Sequence, residues 1–247
     1  MEDNVGISLI SWLTSERILF WLGVVALTCA VMSLVHIVLG GVGRPRELKS
    51  QKVMVEDPRI VLLEGFATPL ECKELIDLAL PRLEPSFVVE GKGALATDET
   101  RTSLTAHLGA GDFDAVKRIG KRACDFLGVP LSHLEPVQVV SYEPGQLYKP
   151  HFDYFMPERL EFEKGQRTDT IFVYLCEDFE GGATNFPQLG RAFKGKTGEA
   201  LWWRNAPEGV GSEDQRLLHG GMPPTKGRKW GCNIWVRDRP FSSPEGV

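Results

Sequence analysis

Between Arg17 and Arg44 the chain runs for 26 residues without a charge, ILFWLGVVALTCAVMSLVHIVLGGVG, and it does so nowhere else. As a helix such a run spans about 39 Å, enough to cross a hydrocarbon layer of about 30 Å. The pattern predicts a transmembrane helix over Ile18–Val42. A cleaved leader fits less well, since its apolar region is usually only ~7–15 residues and is followed by a small-residue cleavage site that is missing here. Trp12 and Trp21 flank one end, where an indole suits the membrane interface.

From Val53 onward the pattern is that of a compact domain without repeats. Ile60–Phe66 (IVLLEGF) reads as a buried strand. Thr68-Pro69-Leu70-Glu71 is a capping box with proline at the first helical position, and it predicts a helix turning Leu70, Ile76 and Ala79 to a core. A second helix is predicted from Asp112 to Gly128, where Phe113, Val116, Ile119, Ala123 and Leu127 recur at three- and four-residue steps. After Pro130 the texture changes to short apolar runs broken by Gly, Pro and Asn: VQVVSY (137–142), TIFVYLC (170–176), ALWW (200–203) and WGCNIWVR (230–237). Such runs predict a β-sandwich or barrel with two helices packed outside, an α+β fold that is mainly β. The chain then divides into an N-terminal tail (1–17), the membrane helix (18–43), a basic linker (44–52) and one domain (53–247).

Composition narrows the function. With 247 residues the chain builds one sizeable core, and a net charge of −5 argues against a broad basic face for nucleic acid. The five cysteines are odd in number and form no CxxC pair, so neither a thiolate zinc site nor a disulfide framework is signalled. Whether Cys72, Cys124, Cys176 or Cys232 pair stays open.

Candidate chemistry gathers in the β-rich half. His151 and Asp153 form His-x-Asp; on an extended strand residues i and i+2 share a side, so both can reach one ion. His219 completes two imidazoles and one carboxylate. That donor set leaves three positions of an octahedron open, as ferrous iron needs to hold a chelating cosubstrate and then oxygen. Standing alone, His-x-Asp is weak, because hydrogen-bonded core histidines are commoner. Lys229 changes the balance: it stands just before a hydrophobic strand, and a cation entering an interior needs an anion there. Together with the triad it points to a dicarboxylic cosubstrate.

These residues resemble the prolyl 4-hydroxylase family of 2-oxoglutarate- and iron(II)-dependent dioxygenases. The likeness runs from about Leu62 to Arg237, through RTS (101–103), QVVSYEPGQLYKPHFDYF (138–155), TIFVYLCEDFEGGATNFP (170–187), GEALWWRN (198–205) and LHGGMPPTKGRKWGCNIW (218–235). It implies a double-stranded β-helix (jelly-roll) core, with His151, Asp153 and His219 as catalytic iron ligands and Lys229 on the 2-oxoglutarate C5 carboxylate. It further implies Tyr142 and Tyr174 in the cosubstrate pocket, and Arg101, Tyr148 and Trp235 as substrate-peptide residues. The implied reaction consumes O2 and 2-oxoglutarate, releases succinate and CO2, and hydroxylates prolyl residues of a protein or peptide; L-ascorbate is expected to rescue uncoupled turnovers.

Two features depart from the family or bear on specificity. Leu104-Thr105 follows RTS, where a small residue is usual, and this alters the expected substrate groove. The polar segment 156–169 reads as a lid whose Glu158, Glu161 and Glu163 either favour a basic substrate or form a solvated face. Three other readings stay open: a same-fold oxygenase for another residue or small molecule, a non-catalytic metal-holding module, and a zinc hydrolase, the last disfavoured because Lys229 goes unexplained. Family members anchored this way suggest an endoplasmic-reticulum membrane with a luminal domain, whereas Arg44, Arg46, Lys49 and Lys52 after the helix favour the cytosolic side.

Overall fold

The computed structural model describes residues 24, 48–90, 94–96, 99–109, 113–155, 165–205 and 214–241, and the chain divides into two units, 1–46 and 47–247. The predicted tail and membrane helix, Val24 apart, lie outside the described residues, as do 156–164 with Glu158, Glu161 and Glu163. Among the described residues no helix is long and apolar enough to cross a membrane.

Two sheets carry the domain. The larger is antiparallel and has eight strands in the order β1 (Ser50–Val55), β2 (Ile60–Glu64), β13 (Ala200–Arg204), β9 (Arg167–Tyr174), β16 (Lys229–Arg237), β7 (Val137–Tyr142), β6 (Leu104–Leu108) and β3 (Glu84–Pro85). The smaller has the order β12 (Arg191–Phe193), β11 (Thr184–Phe186), β14 (His219–Gly221) and β8 (Tyr148–His151). Two short antiparallel pairs complete it, β4 (Val88–Glu90) with β5 (Ala94–Ala96) and β10 (Glu180–Gly181) with β15 (Pro224–Lys226). The four apolar runs of the C-terminal half thus become β7, β9, β13 and β16, in a mainly β architecture with few helices.

These central runs are apolar almost throughout because both faces of the large sheet are covered. On one face Val137 and Val139 of β7, Ile171 and Val173 of β9, and Cys232 and Ile234 of β16 pack with helices α1 (Pro69–Ala79) and α2 (Asp114–Leu127), through Leu75, Ala79, Val116 and Ile119. The intervening residues Val140, Tyr142, Phe172, Tyr174, Leu201 and Trp203 form a second cluster with Phe186 of β11 and Leu217. At roughly 1.5–3 kcal/mol for each fully buried large apolar side chain, the helix-side layer holds the sheet rigid. The other face is free to carry chemistry.

The capping box forms: Thr68 Oγ1 accepts from Glu71 N at 3.0 Å, and Glu71 Oε2 accepts from Thr68 N at 2.8 Å. Glu71 is itself buried, and Arg122 of α2 answers it at 3.0 Å, tying the helices together. Leu70 corrects the sequence reading. It is 65% exposed, and the core stripe runs instead through Cys72, Leu75 and Ala79. Leu70 precedes Cys72 by two positions, about 200° around the helix, so both cannot face the core. Helix α2 begins at Asp114 and ends on Gly128, whose φ of 70° makes the left-handed cap that glycine suits. Strand β1 begins at Ser50, inside the segment read as linker, because 50–53 pair with 61–64 of β2. Cys72, Cys124, Cys176 and Cys232 are free thiols.

Candidate metal and cosubstrate site

Strand register builds the site. In the small sheet β14 lies antiparallel to β8 with His219 opposite His151. Gly220 permits that approach: a Cβ there would come within 2.7 Å of the Tyr148 carbonyl oxygen. β8 ends at His151, so Asp153 sits in the bend that follows rather than on the extended strand that His-x-Asp suggested, and the bend delivers it to the same side. One ligating atom from each of His151, Asp153 and His219 lies within 4.8 Å of the others. His151 Nε2 is 3.8 Å from Asp153 Oδ1, and His219 Nε2 is 3.5 Å from Asp153 Oδ2.

Backbone carbonyls set both tautomers. His151 Nδ1 lies 3.0 Å from the Lys149 oxygen and His219 Nδ1 2.9 Å from the Leu217 oxygen. A carbonyl only accepts, so each Nδ1 carries the hydrogen and each Nε2 presents its lone pair inward. Burial, with His219 adjacent, pushes the His151 pKa down to about 3, leaving a neutral imidazole at pH 7. Burial opposes the Asp153 carboxylate, but His219, His151 and Arg167 outweigh it and hold its pKa below the ordinary value.

Beside the triad opens a cavity lined by Tyr142, Tyr148, Phe172, Thr184, Trp203, Gly221, Lys229 and Asn233. Lys229 is 1% exposed, and among the described residues no carboxylate pairs with it. Its ammonium stands 5.0 Å from the Tyr142 ring and 5.2 Å from the Phe172 ring. Burial pushes its pKa down to about 7. A buried cation facing a cavity without an anion is costly alone and fits a ligand that brings one. With two imidazoles and a carboxylate nearby, the donor set suits a divalent iron and the Lys229 side suits a dicarboxylate.

The remaining predicted residues divide. Tyr142 lines the cavity, paired in register with Lys229. Tyr174 does not: its hydroxyl lies 3.1 Å from Thr184 Oγ1 and 3.2 Å from the Phe193 oxygen, one layer behind. Thr184 stands at the cavity wall in its place. Tyr148 stacks on the His151 ring at 3.6 Å, and the Arg101 guanidinium covers the other ring at 4.5 Å while donating to Gln138 Oε1 at 2.9 Å. Trp235 is buried under the Arg167 guanidinium at 3.6 Å.

Sequence reasoning missed Arg167, which donates to Glu135 at 2.7 and 2.8 Å and lies 3.9 Å from Asp153 Oδ1. It sits at the end of a polar stretch that reads as a lid, with no spacing to single it out. It also missed Trp203, whose ring meets His219 at 4.7 Å. The alternation in ALWW, with Trp203 sharing a side with Leu201, was the available signal.

Comparison with known proteins agrees with this geometry. Residues 137–237, which span all three triad residues and Lys229, match the 2OG-Fe(II) oxygenase superfamily. The chain is 38% identical over 202 residues to probable prolyl 4-hydroxylase 10 of Arabidopsis thaliana, covering 73% of this chain and 69% of that one. It is 35% identical to prolyl 4-hydroxylase 1 of the same plant, over 77% of this chain and 73% of the relative. Among solved structures, the viral collagen prolyl hydroxylase vCPH of Paramecium Bursaria Chlorella virus-1, in its 2OG complex, superposes with a TM-score of 0.58 at 28% identity, over 72% of this chain and 95% of that one. The fold and site define a 2-oxoglutarate- and Fe(II)-dependent dioxygenase. Within that class the chain belongs to the prolyl 4-hydroxylase family.

Proposed function

We propose that the protein hydroxylates prolyl residues of a protein or peptide, with His151, Asp153 and His219 holding Fe(II) and Lys229 holding the distal carboxylate of 2-oxoglutarate. The observation that carries this reading is the buried Lys229, which pairs with no carboxylate among the described residues, in the same cavity as the triad. Iron and 2-oxoglutarate together supply oxygen activation, coupling decarboxylation of the cosubstrate to insertion of one oxygen atom into an unactivated C–H bond. The chain supplies orientation and dryness. Tyr142 and Phe172 wall the cosubstrate, and their rings stand over the ammonium. Tyr148, stacked on His151 under Arg101, and Trp235, under Arg167, form the side from which a peptide presents its proline. The names of the plant and viral relatives support the prolyl substrate.

A membrane anchor at 18–43 and an endoplasmic-reticulum placement belong to this proposal and rest on the sequence. Protease protection of the catalytic domain in sealed microsomes tests the side: digestion without detergent rejects a luminal domain. The function itself is tested by succinate release from the full chain in detergent, with Fe(II), 2-oxoglutarate, ascorbate and a proline-rich peptide. Peptide-stimulated turnover with hydroxyproline in the product supports it. Turnover indifferent to every prolyl peptide points to another substrate, and metal binding without succinate points to a non-catalytic module.

A further inference from the structure

Thr170 lies on β9, fully buried, on the face of the large sheet that turns toward the site. Its hydroxyl stands 2.8 Å from Asp153 Oδ2. Asn205, just past the end of β13 and 3% exposed, places its amide on the same hydroxyl, with Nδ2 at 3.0 Å and Oδ1 at 3.2 Å. A hydroxyl has one hydrogen to give, and an ionised carboxylate can only accept. The network therefore resolves in one direction: Asn205 Nδ2 donates to Thr170, and Thr170 donates to Asp153. Asn205 cannot swing away, because its own backbone N–H bonds the Thr168 oxygen at 2.8 Å and Nδ2 lies 3.3 Å from the Arg167 oxygen.

Asp153 needs such a tether. It sits in a bend rather than on a strand, so no strand pairing holds its backbone in place. The two histidines are fixed by the carbonyls of Lys149 and Leu217. For the carboxylate the equivalent partner is a side chain reached across the sheet from a strand locked on both edges, by β13 and β16.

We infer that Thr170, held by Asn205, is the positioning residue that fixes the rotation of Asp153 and thereby sets the metal affinity of the triad. The inference rests on the reading of His151, Asp153 and His219 as metal ligands. Outer-shell partners of metal ligands typically carry about 10- to 100-fold in affinity. Thr170→Val keeps shape and removes the hydroxyl, whereas Thr170→Ser keeps the hydroxyl and removes the methyl.

The test is Co(II) binding to the metal-free full-length protein, followed by its visible absorption and by calorimetry, without turnover. Thr170→Val should bind Co(II) about 10- to 100-fold more weakly than the parent and show an altered ligand-field spectrum, while Thr170→Ser stays close to the parent. Parent-like affinity in a folded Thr170→Val overturns the inference, and so does an equal loss in Thr170→Val and Thr170→Ser, which assigns the effect to packing. If Thr170→Val does not fold, Asn205→Ala reads the same chain, and parent-like Co(II) affinity there overturns it. A parent protein that binds no Co(II) rejects the metal site itself, an outcome separate from these.

Discussion

Replacing Lys229 with methionine should make the free protein more stable and its cosubstrate binding far weaker. Lys229 is 1% exposed, and its pKa falls from 10.5 to about 7 through burial. Because the folded value lies below the unfolded one, the unfolded chain holds more protons between pH 7 and 10.5. Keeping this lysine therefore costs stability, fully below about pH 7 and progressively less up to pH 10.5. At about 1.36 kcal/mol per pKa unit the cost near pH 7 is on the order of 4 kcal/mol. Methionine has a similar unbranched reach and no charge, and it should recover roughly 2–4 kcal/mol once relaxation of the charged form is allowed for. The same substitution removes a charge-assisted contact to 2-oxoglutarate of about 1.5–3 kcal/mol, a 10- to 150-fold rise in KM. Urea unfolding of parent and variant at pH 7 and pH 9.5, without cosubstrate, reads the first effect, and succinate release against 2-oxoglutarate concentration reads the second. The stability gap should narrow at the higher pH. A Lys229→Met variant less stable than the parent at pH 7, or one with unchanged KM, refutes the reasoning.

His219→Ala should abolish both metal binding and succinate release, since one of two inward nitrogens disappears; residual iron-dependent turnover in that variant counts against the triad. Leu75→Ala, at a fully buried position, should cost about 2–5 kcal/mol in urea unfolding, whereas Leu70→Ala should fall within about 0.5 kcal/mol of the parent. Glu135→Gln removes the carboxylate that Arg167 and Arg237 share, each at 2.7 Å. Removing that charge from beside buried Arg237 and half-buried Arg167 should lower stability by up to about 3–5 kcal/mol, measured as a shift in the urea midpoint.

Local chemistry carried most of what could be read in advance. The Thr68–Glu71 box, the 3.6-residue rhythm of α2 and the apolar runs of β7, β9, β13 and β16 are signals held within a few neighbours, and each formed where it was expected. His151, Asp153, His219 and Lys229 were legible because rare residue types stood in unusual company. What could not be read depends on register across strands. That Thr170 of β9 reaches Asp153 follows from how the bend after β8 lies against the large sheet, and that Arg167 lies over Trp235 follows from how β9 pairs with β16; no spacing along the chain encodes either. Tyr174 shows how depth enters. Its parity on β9 is that of the site-facing residues, and its hydroxyl bonds Thr184, which itself lines the cavity. Leu70 failed for angular reasons, since several apolar residues in one turn cannot all face inward.

The doubly covered sheet has an evolutionary consequence. Along β16, Cys232 and Ile234 belong to the layer against the helices, while Lys229 and Asn233 line the cavity and Trp235 lies under Arg167. Adjacent codons therefore answer to different demands, one set to folding and the other to chemistry. Variation can retune what the enzyme accepts while leaving the helix-side layer untouched, provided it moves in steps of two.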